Sequence, residues 1–379
     1  MKQIKYYMVW MAMIAVTIFT SCSDDDAAYT FGRGMKIVSS NVIFDAAGGK
    51  GSIVVEGNVS AVKAASNAEW CKVLVKDANT VEVTIDKYTG YENRDAVVTL
   101  TDESNGNAIH AAVIQNGGIW MLTSTSYTVS NKGADIVIPV KADLAYDIEA
   151  ANWIKDCKKV AEGISVKIAE NKSGKPRMGT MTLKNERDES TVITFTQFDI
   201  TDIEGEYRVK CDSLFYDDWY EEDILRSIER DVTVKLVDEE NGIFHVMGMF
   251  ANELPLVMNF NKETSTMSFE QNQRMGALVT KEGRNVYVYS KAYSYEAKQF
   301  PSSSTLNISA PVEVSADGVI SYGKFTDITG FVYRSIYGSE TGYCNGIASY
   351  FYTSDSPERV QGNMLGYGEV YCNVLMTKN

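Results

Sequence analysis

The sequence is poor in histidine, the side chain that most often supplies catalytic bases and metal ligands. Only His110 and His245 occur in 379 residues, and both lie in segments whose alternating pattern predicts strands. The sequence therefore gives little support for a nucleophile activated by histidine or for a metal centre built from histidines. Glycoside hydrolysis needs only two carboxylates, but no motif singles out a pair among fifty acids. We expect a binding protein, not an enzyme, with no cofactor and no bound metal.

Cysteine is also sparse and widely spaced. Five cysteines follow Cys22, and their spacing matches neither a zinc site nor a redox pair. Because five is an odd number, at least one thiol must be unpaired within the chain. Cys344 and Cys372 leave two readings open, a disulfide in the last domain or two core thiols.

Basic residues are outnumbered, 36 against 50 acids, which gives a net charge of −14. Such acidity argues against nucleic acid as a partner and against an electrostatic grip on anionic lipid. Beyond the first 21 residues, no apolar run reaches the length that spans a membrane.

The first 21 residues have the pattern of an export signal. Lys2 and Lys5 charge a short leader, an apolar core runs over residues 8–19, and small residues precede Cys22. This pattern predicts cleavage before Cys22 and lipidation of its thiol, which would anchor the protein to a membrane without spanning it. An ordinary cleaved signal peptide is the alternative, since Phe19 occupies a position where leucine is usual.

An acidic run, Asp24 to Asp26, follows the candidate lipidation site within a predicted tether over residues 22–35. Runs of like charge at a chain end are usually solvated leaders. This one resembles the acidic tether of Bacteroidetes surface lipoproteins. The resemblance implies a lipid-anchored protein on the outer face of the outer membrane.

A pattern of about eighty residues occurs twice between residues 36 and 199. Trp70 precedes Arg94 by 24 residues and Trp153 precedes Arg177 by the same interval, and each copy closes on a strand ending in glutamine. Strands with alternating apolar residues and frequent turns predict two small antiparallel sandwiches of the immunoglobulin type. We expect both tryptophans to be buried between the sheets and both arginines to brace a turn.

Both copies resemble BACON domains, immunoglobulin-like modules of Bacteroidetes surface proteins. The resemblance rests on the tryptophan, the Asn/Arg or Pro/Arg turn and the closing strand with Gln115 or Gln197. It covers residues 36–118 and 119–199, and it implies a role in presenting or binding carbohydrate or mucin. It carries over no ligand residues.

Residues 200–379 contain 25 of the 41 aromatic residues. Successive hairpins predict an antiparallel β-meander, closed as a lipocalin-like barrel or, as the runner-up, folded as a third sandwich. The fold class is therefore all-β, two tandem sandwiches followed by this domain.

Two aromatic segments are the candidate ligand sites of this domain. Alternation over residues 285–295 places four tyrosines on one face of a strand, where they either stack on a glycan or pack across strands. The acidic residues 217–223 and the two arginines that follow them fit a short helix over residues 217–230. Trp219 lies beside the predicted start of this helix, where an exposed aromatic side chain can contact a ligand. Calcium binding by those acids would match no defined loop. The candidate ligand-binding residues are Trp219, Tyr220, Tyr287, Tyr289, Tyr293 and Tyr295.

Two functions remain from the sequence. The first is a surface lipoprotein that captures dietary or host glycan for neighbouring uptake proteins. The second is a structural or adhesive protein whose tyrosines contact a protein partner.

Overall fold

The computed structural model describes residues 35–56, 62–217, 222–251, 253–301, 306–327, 329–335, 338–353 and 364–379. The predicted leader, the tether up to residue 34 and Cys22 lie outside these residues. The chain divides after Gly118 into two compact units, and the second unit holds both the second sandwich and the C-terminal domain. The boundary predicted between residues 199 and 200 stays a prediction.

The first unit is a sandwich of two four-stranded sheets, ordered β1–β3–β6–β5 and β2–β8–β7–β4 in the labels given below. Its core forms because alternate residues of each strand are apolar, as in β6, where Val81, Val83 and Ile85 are all buried. The strands are β1 Lys36–Asn41, β2 Ile43–Phe44, β3 Gly49–Glu56, β4 Val62–Ser66, β5 Cys71–Val75, β6 Thr80–Ile85, β7 Arg94–Asp102 and β8 Ala108–Gln115.

The second sandwich has the same strand order, β9–β11–β14–β13 and β10–β16–β15–β12. In both sandwiches the second strand pairs in parallel with the eighth, and all other pairings are antiparallel. The equal spacing of the two sequence copies therefore corresponds to an equal topology. The strands are β9 Trp120–Leu122, β10 Ser126–Val129, β11 Ala134–Ala142, β12 Tyr146–Ala150, β13 Ile154–Val160, β14 Gly163–Ile168, β15 Arg177–Asn185 and β16 Ser190–Gln197.

A short 3-10 helix, Ile200–Ile203, leads from the second sandwich into the C-terminal domain. Phe198, just before it, is buried in the C-terminal core with its ring 6.0 Å from that of Phe260. Asn131 of the second sandwich donates its backbone N–H to the Asp199 carboxylate. These contacts join the sandwich to the C-terminal domain as one packed body.

The C-terminal domain is built from fourteen strands of the described chain. They are β17 Gly205–Asp217, β18 Glu222–Asp238, β19 Ile243–Ala251, β20 Leu254–Asn261, β21 Thr266–Phe269, β22 Arg274–Val279, β23 Asn285–Tyr293, β24 Ile308–Val314, β25 Ile320–Tyr322, β26 Thr326–Asp327, β27 Phe331–Ser335, β28 Gly338–Gly342, β29 Gly346–Tyr352 and β30 Met364–Lys378.

Hydrogen bonds close the meander of this domain into a ring. The order runs β17–β18–β19–β20–β21–β24–β25–β30, and β30 pairs back onto β17. A further stretch of the same sheet, β22–β23–β29, joins β30 on its first half, whereas β25 joins β30 at its end. Closure of the meander is thus observed, while the likeness to lipocalins stays a prediction.

The short helix predicted over residues 217–230 is wrong. From Glu222 onward the chain is strand β18, which pairs with β17 from Asp217 opposite Glu222 to Gly205 opposite Val234. Thirteen paired positions, several with apolar partners, stabilise the strand more than the charge pattern favours a helix.

One expectation about side chains in the core also needs correction. Trp70 and Trp153 are half-buried and pack against the edge of each core, so neither fills the space between the sheets. Of the two alternatives for Cys344 and Cys372, the structure has the core thiols, since both cysteines are free and fully buried.

Candidate functional site

The tryptophan, arginine and glutamine of each repeat form one polar network. In the first sandwich the Arg94 guanidinium lies 4.1 Å from the ring centres of both Trp70 and Tyr88. Its Nε and Nη2 donate to Gln115 Oε1 at 3.0 and 2.8 Å. The Gln115 amide in turn donates to the carbonyls of Ala46 and Asp86. Arg94 thus holds Gln115, and Gln115 is the side chain that binds the carbonyls after β2 and β6; a direct contact of the arginine with a turn stays a prediction.

The second sandwich repeats this geometry. Arg177 lies 4.4 Å from the Trp153 ring, and its Nε donates to Gln197 Oε1 at 2.8 Å. Gln197 is fully buried and donates to the carbonyls of Ser130 and Ala169. Because these arginine and glutamine side chains form their hydrogen bonds within each sandwich, we assign the networks a structural role.

The predicted tyrosine face of β23 exists. Tyr287, Tyr289 and Tyr293 alternate with core residues, and β23 ends at Tyr293, so Tyr295 follows in the adjoining turn. Tyr289 and Tyr293 are only 3 % exposed, while Tyr287 and Tyr295 are half-buried. A side chain at 3 % exposure cannot offer a ring face to a ligand, so cross-strand packing accounts for the two central tyrosines.

Phe300 is the centre of an aromatic cluster on this face. Its ring centre lies 4.8 Å from that of Tyr293, 5.1 Å from Tyr350 and 5.0 Å from Tyr367. Burial raises the pKa of Tyr293 to about 12, so its phenol is neutral near neutral pH. We call these four residues, together with Tyr289 and Tyr352, the aromatic cluster.

Lys291 lies on the same face of β23, between two tyrosines of the aromatic cluster. It is 7 % exposed, and its Nζ is 5.9 Å from the ring centre of Tyr350. Burial lowers the pKa of this ammonium, and we find no carboxylate paired with it among the described residues. Burying a cation costs free energy unless an opposite charge or hydrogen bonds compensate. Lys291 is therefore an unfavourable residue on a face that otherwise consists of tyrosines.

An open groove of about 610 Å³ lies against Phe300. The Phe300 turn forms one side, and the start of the β27–β28 hairpin forms the other. Neither the phenylalanines nor the threonines of this groove were predicted, because only the tertiary fold brings residues 299–301 beside residues 329–341. The described lining residues are Gln299, Phe300, Pro301, Thr329, Gly330, Phe331, Val332 and Thr341.

Trp219 and Tyr220, the other predicted ligand contacts, lie outside the described residues. His110 and His245 both lie within strands, and the His110 ring is 3.1 Å from the Thr99 hydroxyl. Within the described ranges we find no group of three acidic, histidine or cysteine side chains placed to hold a metal ion. The same part of the chain has no helix with the length and hydrophobicity needed to span a bilayer.

The described chain is all-β, and its first unit is a two-sheet sandwich held by the Trp70, Arg94 and Gln115 network. Residues 60–116, which include Trp70, Arg94 and Gln115, match the BACON family, described as "Putative binding domain, N-terminal". This part of the first sandwich is therefore similar to BACON domains. Membership of the second sandwich in this family stays a prediction, although its topology is the same.

Two further comparisons were made, one with curated proteins and one with solved structures. No curated protein matches the chain. A chimeric titin Z1Z2 carrying a KLER exogenous peptide from decorin is 9 % identical, with a TM-score of 0.27, over 44 % of this chain and 96 % of that chain. DIP-gamma Ig1+Ig2 is also 9 % identical, with a TM-score of 0.23, over 43 % and 96 %.

An endo-fucoidan hydrolase of glycoside hydrolase family 107 is 9 % identical, with a TM-score of 0.24, over 45 % of this chain and 29 % of that chain. Scores this low carry no inference about ligand or activity. The function is therefore argued from the residues of this chain.

Proposed function

We propose that this protein is a lipid-anchored surface protein that binds carbohydrate through its C-terminal domain without catalysing a reaction. The similarity to BACON domains supports binding as the general role. The leader, Cys22 and the acidic tether support anchoring at the outer face of the outer membrane.

The observation that carries the carbohydrate proposal is the aromatic cluster beside the groove. Three tyrosines pack against the Phe300 ring, and Phe300, which is half-buried, also lines the groove. Rigid aromatic rings in a partly apolar cleft are the usual surface for the C–H face of a sugar. Tyr287, half-buried at the edge of this face, remains a candidate contact.

The test is retention of the mature chain, residues 22–379 with Cys22→Ala, on a panel of immobilised neutral and acidic glycans. We expect retention of at least one glycan and elution by the same glycan in solution. Retention should change little between 50 and 500 mM salt if the sugar is neutral, because few charges would be paired. A folded chain that no glycan retains would overturn the proposal.

A protein partner is the second candidate, and one observation favours it. Leu278, Val279, Met364 and Leu365 are between 44 % and 69 % exposed and lie at one end of the β22–β23–β29–β30 stretch. Exposed apolar groups of this kind mark protein interfaces. Adhesion to protein-coated surfaces that Val279→Asp abolishes, with glycan retention unchanged, would favour this second function.

A further inference from the structure

The described lining of the groove beside Phe300 contains no ionisable side chain, although 23 % of the whole sequence is charged. The lining offers uncharged polar groups from Gln299, Thr329 and Thr341, and apolar surface from Phe300 and Val332. Ligands recognised by charge need an opposite charge in the site. A groove with this lining is therefore suited to a neutral ligand that has both hydroxyl groups and an apolar face.

The apolar side of the groove is held rigid. Phe300 is packed against three tyrosine rings, and Pro301 beside it is buried. A backbone bridge between Ser294 and Gln299 fixes the turn that carries both Gln299 and Phe300. A preorganised platform loses little conformational entropy when a ligand binds.

The opposite side of the groove is fixed by a buried carboxylate. Asp327, 2 % exposed, accepts hydrogen bonds from the Thr329 hydroxyl at 2.6 Å and from the backbone N–H groups of Thr329 and Gly330. The acid is thus used to shape the loop and does not face the groove as a free charge. Thr341, exposed on β28, lines the groove together with Phe300.

We propose that this groove is the binding site for a neutral sugar, with the sugar's C–H face on Phe300 and its hydroxyls bound by Gln299 and Thr341. The proposal rests on the carbohydrate function proposed above and assigns it a place and a ligand class. The groove's volume of about 610 Å³ lies within the range of roughly 300–1,000 Å³ typical of small-ligand sites. The tyrosines of the aromatic cluster act as positioning residues behind Phe300.

The experiment uses the mature chain and two groups of immobilised probes. The neutral probes are cello-, malto-, xylo- and manno-oligosaccharides, and the acidic probes are oligogalacturonate and sialyllactose. The test variant is Gln299→Leu combined with Thr341→Val, because both side chains lie at the surface and their loss should leave folding intact. The matched control is Ser339→Ala, an exposed hydroxyl two residues away on β28 and outside the groove lining.

We expect the wild type to bind a neutral probe and the double variant to bind it at least tenfold more weakly, while the control stays within twofold and all three unfold at the same temperature. A second variant, Phe300→Leu, should weaken binding at least fivefold while keeping the apolar volume. If a neutral probe binds and neither variant changes its affinity, the groove is not the binding site, and the proposed carbohydrate function remains. Binding of acidic probes only would overturn the neutral ligand class, and binding of none would overturn both proposals.

Discussion

Gln115 shows how one side chain can connect three parts of a sandwich. Its amide oxygen accepts from Arg94, and its nitrogen donates to the carbonyls that follow β2 and β6. The glutamine is fully buried, so no solvent can replace a lost partner. This arrangement, and not a buried tryptophan, is what the repeated sequence motif builds.

The first prediction concerns this network. Gln115→Leu should lower the free energy of unfolding of the first unit by about 1 to 3 kcal/mol, because it removes the acceptor of Arg94 and a donor to the carbonyls of Ala46 and Asp86. Urea unfolding followed by tryptophan fluorescence measures the loss, with exposed Glu69→Gln as the control. An unchanged transition would contradict a structural role for the network.

The second prediction concerns Lys291. Lys291→Met should stabilise the protein by about 1 to 3 kcal/mol at pH 7, because it removes a buried cation for which the described residues supply no carboxylate partner. Burial lowers the pKa of Lys291 in the folded state below its value in the unfolded chain, which is about 10.4. Between these two pKa values the unfolded chain binds more protons than the folded protein. The free energy of unfolding of the wild type therefore rises with pH over this interval.

The difference in free energy of unfolding between the wild type and Lys291→Met should therefore shrink as the pH is raised from 7 towards 10. Urea unfolding of both proteins across this range measures it, and titration of other groups cancels in the comparison. A difference that stays constant with pH, or a variant less stable than the wild type, would contradict the prediction.

Among the elements, the turn after β24 ties the C-terminal domain to the second sandwich. Gly318 has φ of 85°, and a Cβ built on it would lie 2.4 Å from the Pro176 carbonyl oxygen. Gly283, in the turn after β22, has φ of 76° and would meet no atom within 4 Å. The two glycines share a backbone conformation and differ in their surroundings.

We expect Gly283→Ala to cost about 1 to 2 kcal/mol, the strain of a left-handed residue, and Gly318→Ala to cost at least 1 kcal/mol more. Thermal and urea unfolding of the two variants give the comparison. Equal losses would show that the turn moves away from the second sandwich without penalty.

Alternating patterns predicted the elements well where one face of a strand is buried. Val81, Val83 and Ile85 are one example, and the tyrosine face of β23 is another. The segment from Glu222 failed because its charges suit a helix terminus, whereas its long pairing with β17 is a tertiary contact that no local pattern reveals. The groove was missed for the same reason, since its two sides are about thirty residues apart in sequence.

At the scale of the whole molecule, the membrane anchor rests on sequence alone. Cys22→Ala should abolish labelling by radioactive palmitate and shift the protein out of the membrane fraction, because no other residue offers a lipidation motif. Ser23→Ala is the control and should remain labelled. Labelling that persists in Cys22→Ala would reject the anchor, and resistance to protease added to intact cells would place the protein inside the outer membrane.

The closure of the C-terminal ring by β30 has a consequence for the order of events in synthesis. β17 pairs with residues 371–378, so the first strand of the domain obtains its second neighbour only after the last strand has left the ribosome. Contacts this distant in sequence form slowly. Until residues 371–378 have been synthesised, the ring therefore stays open and β17 keeps one unpaired edge.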